Sequence, residues 1–393
     1  MKTVLKIIGL ALAAGVIVFV VAILWPRYMS DDGNINKSEV HVAPKIVGAK
    51  TRVLFAGTTF WGRHTNEMAR ASDLGVKYPF SKLSTLHRED YNAWIGGLEC
   101  PTVEKEGKHN KYEEESLFQF NCDPDYLPEA AKYFDAFLLG NNHTDNQGAE
   151  GFAETKRRLT DNGIQYFGSY DYTDGQNNCD VIVLPIDVTF DDNSVVEYKM
   201  PFAFCSAHGV FGIPYAPIEN MKNYTDILPT VAMPHMGAEY QASHDTLRQN
   251  LYRSMIDNGV ENVIGDHPHW TQDTEAYKGK LIVYSMGNFM FDQTFSKEVS
   301  RSAAIDATIT FEKIDQTDFE KWNDLAEQCL LDKANCVKKI REAKLPKVSL
   351  AWSYSYHGTT SANDRITRLA SDAEQAEIGQ RLNWWATMNA LKK

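Results

Sequence analysis

Residues 138–169 read LLGNNHTDNQGAEGFAETKRRLTDNGIQYFGS. The stretch continues an apolar run that begins at 136 and breaks into a polar Asn-Asn-His turn at 141–143. It then carries helical spacing over 149–162, until Asn162 and Gly163 supply a C-terminal stop. An apolar strand that ends in a polar turn and feeds an amphipathic helix is the unit from which α/β folds are built. The same alternation extends in both directions. Strands are predicted at 52–56, 93–98, 136–139, 181–186, 201–205, 230–233, 262–264, 281–285 and 304–311, with a second clear helix at 244–257. Beyond residue 315 a charged helical stretch at 318–343, a short strand at 348–354 and a long helix at 364–391 read as packing elements of the same domain. The Trp384 and Trp385 pair in that last helix reads as core packing, with a membrane foothold as the alternative.

The chain has 393 residues, 43% hydrophobic and 23% charged, which is too apolar for a disordered protein. Its first thirty residues differ from the rest. Residues 7–25 (IIGLALAAGVIVFVVAILW) are apolar or small throughout, just long enough to cross the hydrocarbon core of a bilayer. Lys2 and Lys6 precede the run, and Asp31 and Asp32 follow Arg27, so the N-terminus is expected on the cytoplasmic side and the remainder outside. A cleaved signal peptide is the rival reading, but the run exceeds a usual signal core and no small-x-small site follows it. The expected organisation is a cytoplasmic N-terminus and transmembrane anchor at 1–30, a polar linker at 31–50 and one domain at 51–393. This places the chain in the bacterial cytoplasmic membrane, single-pass, with its domain extracytoplasmic.

The whole chain carries −12. Residues 1–30 hold three positive side chains and no negative one, so the remainder carries −15. That balance excludes nucleic acid as a partner, because its recognition needs a basic footprint. Six cysteines occur, an even number for an oxidising compartment. Cys329 and Cys336 are spaced to close a small loop, Cys205 lies in an apolar run, and none has the CxxC spacing of a zinc site; the pairing stays open.

Four apolar strands end in residues able to bind a metal. AWIGGLE ends in Glu99, AFLLGNNH in Asn142 and His143, TVAMPH in His235, and NVIGDHPH in His267 and His269. In open α/β sheets the functional crevice lies beyond the carboxyl ends of the strands, so side chains far apart in sequence converge there. Imidazoles mixed with carboxylate and amide oxygens on rigid elements suit a divalent cation. His267 and His269 both face one ion if the backbone between them is extended. Each residue alone has a bland reading, as a hydrogen-bonded histidine, a solvated carboxylate or a turn asparagine. The recurrence of the pattern at four strand ends is what points to a site.

These segments, in this order, resemble the poly-γ-glutamate capsule synthesis protein family of the CapA/PgsA type. GGLECPTVE is similar to its Asn-Leu-Glu element, and the segment at 138–169 to its Asn-Asn-His turn with the following helix and short strand. VAMPHMGAEY is similar to its His-x-Gly-x-Glu-Tyr element, and VIGDHPHWTQDTEAYKGKLIVYSMGNFMFDQ to its Gly-x-His-Pro-His segment. The resemblance covers about residues 52–295. It implies a metallophosphatase-like (calcineurin-like) layered β-sandwich flanked by helices and preceded by one transmembrane helix. It places Glu99, Asn142, His235, His267 and His269 at metal-ligand positions. His143 falls where phosphoesterases protonate a leaving group or stabilise the transition state, and Arg63 where the family has an arginine after its first strand. It implies a CapB-type ligase and a CapC-type membrane protein as partners, and poly-γ-glutamate or a similar polymer as cargo.

Departures from the family pattern narrow the expectation. In AGTTFWGR, Thr58 and Phe60 stand where an acidic residue and a histidine would serve a second metal. Asn146 replaces a usual aspartate and Asp266 a usual histidine. One divalent ion (manganese, zinc or magnesium) is expected at most, and two-metal activation of water is not. The leading expectation is a component of capsule polymer assembly and export. Its alternatives are a metal-dependent hydrolase of a phosphoester or γ-glutamyl amide, and a non-catalytic scaffold on a decayed site.

Overall fold

A computed structural model describes residues 44–104 and 111–392. The anchor expected at 1–30 and the first part of the expected linker lie outside the described residues. Among the described residues no helix is long and apolar enough to cross a membrane.

The described strands are β1 (Ile46–Thr59), β2 (Ala93–Leu98), β3 (Ala136–Leu138), β4 (Gln165–Phe167), β5 (Cys179–Phe190), β6 (Val195–His208), β7 (Thr230–His235), β8 (Asn262–Ile264), β9 (Thr274–Tyr277), β10 (Lys280–Val283), β11 (Asn288–Met290), β12 (Arg301–Glu312), β13 (Ser349–Thr360) and β14 (Arg368–Leu369). They form one mixed sheet with helices on its flanks, an α/β fold.

β1 organises the sheet because it changes partners along its length. Residues 46–50 pair antiparallel with β5, whereas residues 53–59 pair parallel with β2. On its other side β1 pairs with β12 and then, at Thr58 and Thr59, with β11. Two arms therefore leave β1. One runs through β2, β3 and β4, all parallel. The other runs through the β5–β6 hairpin into parallel β7, β8 and β10. β2 is buried on both faces: Ala93 and Ile95 join one core, Trp94 and Leu98 the other. That is why its sequence is a continuous apolar run rather than an alternating one.

Several expected boundaries move. Residues 46–50, expected as linker, are the first five residues of β1, because they pair antiparallel with β5. The helix expected at 318–343 is two, Gln316–Leu331 and Cys336–Ala343. Asp332 caps the turn between them and a Cys329–Cys336 disulfide spans it. The long helix expected at 364–391 is β14 followed by helices Asp372–Arg381 and Trp384–Leu391. A capping box of Ser371 and Glu374 starts the first, and Asn383 at φ 52 separates it from the second. The strand expected at 348–354 reaches Thr360, since β12 pairs with it throughout.

Candidate metal centre

The carboxyl ends of the parallel strands converge from both arms. His208 and His235 are direct partners at the ends of β6 and β7, and a bridge from His235 to Asp266 carries the row beyond β8. From the other arm, Glu99 follows β2 and the Asn141–His143 turn follows β3. Thr58, at the end of β1, joins the arms: its hydroxyl donates to Asp266 Oδ2 at 2.8 Å. Gly97 permits this closeness, because a Cβ there would lie 3.3 Å from the Asp266 carboxylate.

Asn141 and Asn142 divide their labour. Asn141 is the turn residue: its amide donates to Leu98 O at 2.7 Å and its oxygen accepts from the N–H groups of His143 and Thr144. Asn142 is thereby aimed at the site, and its Oδ1 lies 3.0 Å from His235 Nε2. The same nitrogen of His235 lies 3.1 Å from His267 Nδ1. Ligating atoms of Glu99, His235 and His267, all buried, lie within 4.8 Å of one another.

Glu99 decides what this cluster can hold. Its carboxylate is 1% exposed and neither oxygen has a hydrogen-bond partner. Burial, followed by the nearby charges of Asp266 and Glu239, outweighs the lowering by Arg63 and by the nearby Thr58 hydroxyl, whose proton goes to Asp266, and pushes its carboxyl well above the usual range. An isolated buried carboxylate costs several kcal/mol (order of magnitude), which either a proton or a cation offsets. The imidazoles favour the cation. Burial holds His235 and His267 well below the usual histidine range, so their nitrogens are neutral and available as ligands. The donor set is one carboxylate, one amide oxygen and two imidazoles, which fits a divalent ion of the zinc or manganese type.

His143 and His269 flank Glu99 differently. Asn146 Oδ1 accepts from Phe120 N, so it must also be the acceptor for His143 Nδ1–H at 2.9 Å. Asn288 donates its amide hydrogens to Val299 O and Gln293, so its Oδ1 accepts from His269 Nδ1–H at 2.7 Å. Both imidazoles thus turn an unprotonated Nε2 towards Glu99 Oε1, each at 3.9 Å. Burial pushes both pKa values down to about 4, so at neutral pH each Nε2 is an acceptor. The backbone between His267 and His269 is not extended: φ is 100° at one and 58° at the other, and the two rings are 6.0 Å apart. His267 meets His235, whereas His269 meets Asn288 and Glu99.

Arg63 is brought close but not left open. Its guanidinium is bidentate to the buried carboxylate of Asp292, at 2.9 and 2.6 Å. It also lies over the rings of Phe60, Phe120 and Phe291 at 5.2, 4.6 and 5.6 Å. Phe60 packs between Phe120 and Phe291, and Phe120 stacks on His143 at 4.1 Å. Where the family pattern has a second set of ligands, this chain has an aromatic wall that orients His143.

Sequence reasoning missed His208, Asn288 and Asp292. His208 is 1% exposed, its ring 6.5 Å from that of His235, and burial lowers its pKa to about 4. Its signal was legible, since PFAFCSAH is another apolar run ending in histidine. Asn288 opens β11 and Asp292 follows it, and that strand is too short to stand out by pattern.

A family model described as bacterial capsule synthesis protein PGA_cap matches residues 52–188 and 215–293. That span contains each of the predicted site residues and excludes His208. A capsule biosynthesis protein CapA of Bacillus anthracis is 24% identical over 257 residues, covering 63% of this chain and 61% of that protein. A PGA biosynthesis protein CapA of Bacillus subtilis (strain 168) is 25% identical over 253 residues, covering 62% and 64%. The chain therefore spans less than two thirds of the length of these curated relatives. The crystal structure of TT1561 of Thermus thermophilus aligns with TM-score 0.32 and 10% identity over 65% of this chain and 93% of that one, too distant to bear on the fold.

Proposed function

The chain belongs to the bacterial capsule synthesis protein PGA_cap family, and from that premise we propose that it is a membrane-anchored component of capsule biosynthesis. In this reading residues 7–25 are a single-pass anchor in the cytoplasmic membrane and the domain lies outside it. The two sheet arms are the layers of a metallophosphoesterase-like sandwich. The cargo is poly-γ-glutamate or a similar anionic polymer, handled beside a CapB-type ligase and a CapC-type membrane protein.

The observation that supports a working site is Glu99, buried without a hydrogen-bond partner beside two neutral imidazoles. Glu99, Asn142, His235 and His267 would hold one divalent ion (manganese, zinc or magnesium). When bound, such an ion polarises a carbonyl or phosphoryl oxygen and offsets negative charge. A domain of −15 repels a polyglutamate chain within the roughly 8 Å that physiological salt leaves unscreened, so a cation is what lets the polymer approach. His143, half-buried and held by Asn146, offers Nε2 to whatever enters, while Thr58 keeps Asp266 from swinging into the site.

A second reading, a metal-dependent hydrolase of a phosphoester or γ-glutamyl amide, is favoured by one observation: the Nε2 atoms of His143 and His269 both face Glu99 and are free to accept a proton. A non-catalytic scaffold is the remaining alternative, with Thr58 and Phe60 as its support. Polymer yield from cells carrying H235A, together with assays of the purified protein on both substrate types with added manganese, zinc or magnesium, tests the set. Loss of polymer without hydrolysis supports handling, and loss of both supports the hydrolase. Wild-type polymer yield from H235A cells overturns the metal-dependent role and leaves the scaffold.

A further inference from the structure

The last two helices and β13 enclose a groove of about 680 Å³ that shares no residue with the histidine site. Its walls are aromatic. Trp352, Tyr354 and Tyr356 occupy alternate positions of β13 and so share one face. The rings of Trp352 and Tyr354 lie 6.2 Å apart and within 17° of parallel, a stacked pair in the groove wall. Trp384 stands edge-on to Tyr356 at 5.2 Å and is buried. Trp385 also lines the groove but is 70% exposed, so the tryptophan pair expected as core packing is split: one ring is core and the other stands at the mouth. Exposed aromatic surface continuous with a cavity ordinarily marks a binding site.

Polar groups say what kind of ligand fits. The indole N–H of Trp352 is buried and meets no acceptor, although buried donors nearly always have one. Asn389 and Lys392 line the same groove. Lys280 lines it too, with its ammonium paired to Glu261. Among the described residues no side-chain carboxylate lines it, in a chain whose net charge is −12. A fitting ligand therefore presents flat apolar faces to the rings and oxygens to the amide and ammonium donors, and carries negative rather than positive charge. An alkyl chain lacks the oxygens, and a polyglutamate chain lacks the faces. A chain of pyranose rings bearing carboxylates has both. We propose that this groove binds an acidic saccharide chain, its rings stacked on Trp352, Tyr354 and Trp385.

Titration calorimetry of the full-length protein with a galacturonate hexamer tests this, with phosphatidylglycerol vesicles as the competing probe. Saturable binding is expected that weakens as salt rises. In W385A it should weaken by about tenfold, the contribution of one stacked ring. W385A removes an exposed side chain and should unfold at the wild-type temperature. Absence of saturable hexamer binding, wild-type affinity in W385A, or Trp385-dependent binding of the vesicles alone would each overturn the proposal.

Discussion

His267 Nδ1 lies 3.1 Å from His235 Nε2. Two nitrogens bound to one ion at about 2.1 Å stand about 3.0–3.4 Å apart, so the pair already has the spacing of neighbouring ligands. A lone hydrogen bond is the competing explanation, but His235 Nε2 also faces Asn142 Oδ1 at 3.0 Å, and one N–H serves both contacts poorly. H235A and H267A should each weaken zinc or manganese binding by at least about 100-fold, since even groups behind a ligand are worth 10–100-fold. Equilibrium dialysis of the folded variants measures this.

Arg63 should prove to be a pillar rather than a reacting group. Its partner Asp292 is 2% exposed, so R63A leaves a buried charge uncompensated and should destabilise the fold by about 3–5 kcal/mol. Adding D292N to R63A should recover much of that loss. Urea unfolding of the single and double variants gives both numbers. An unchanged midpoint in R63A would contradict the packing described above.

The Cys100–Cys122 disulfide ties the residue after Glu99 to the segment that carries Phe120 against His143. Closing this loop, with a sequence separation of 22, should stabilise the domain by about 3 kcal/mol. C100A/C122A should lose that much and bind metal more weakly, because both Glu99 and the aromatic wall gain freedom. Thermal unfolding and metal titration of the same variant report the two effects.

Acid sensitivity should come in part from Asp306, which links β1, β12 and β13. Burial alone would raise its carboxyl, but the His357 imidazole at 3.6 Å and hydrogen bonds from Arg52 and Ser355 together outweigh it and hold the carboxyl well below the usual range. A folded pKa below the unfolded value of about 3.9 means stability present above that value and lost as pH falls through the folded one. D306N should cost about 2 kcal/mol at pH 7, reduced because Arg52 is partly open to water. Urea midpoints at pH 7 and below pH 3 should show the gap between wild type and D306N shrinking in acid.

The strand ends were legible because parallel strands buried on both faces leave continuous apolar runs, and polar residues that interrupt them stand out; Glu99, Asn142, His235 and His267 were found that way. The role of His269 was less legible, since its partner Asn288 opens a three-residue strand and the left-handed backbone at His267 and His269 has no pattern in composition. Arg63 was expected as a catalytic residue from its place after the first strand; Asp292 is 229 residues away, and only the folded chain shows that they neutralise each other. The start of β1 was hidden by Gly48 and Lys50, which look like linker residues in one dimension although both pair with β5. The disulfides were open for the same reason: Cys179 and Cys205 become partners only once β5 and β6 pair in register.

The central claim is that Glu99 belongs to a cation site. Full-length protein stripped with chelator and titrated with manganese or zinc measures it, by elemental analysis after desalting and by thermal unfolding. One equivalent should bind wild type and stabilise it by about 2.7 kcal/mol at a free-metal concentration 100-fold above Kd. E99Q, still folded, should retain no metal and gain no stability from it. Full stoichiometry in E99Q, or none in wild type, would contradict the account.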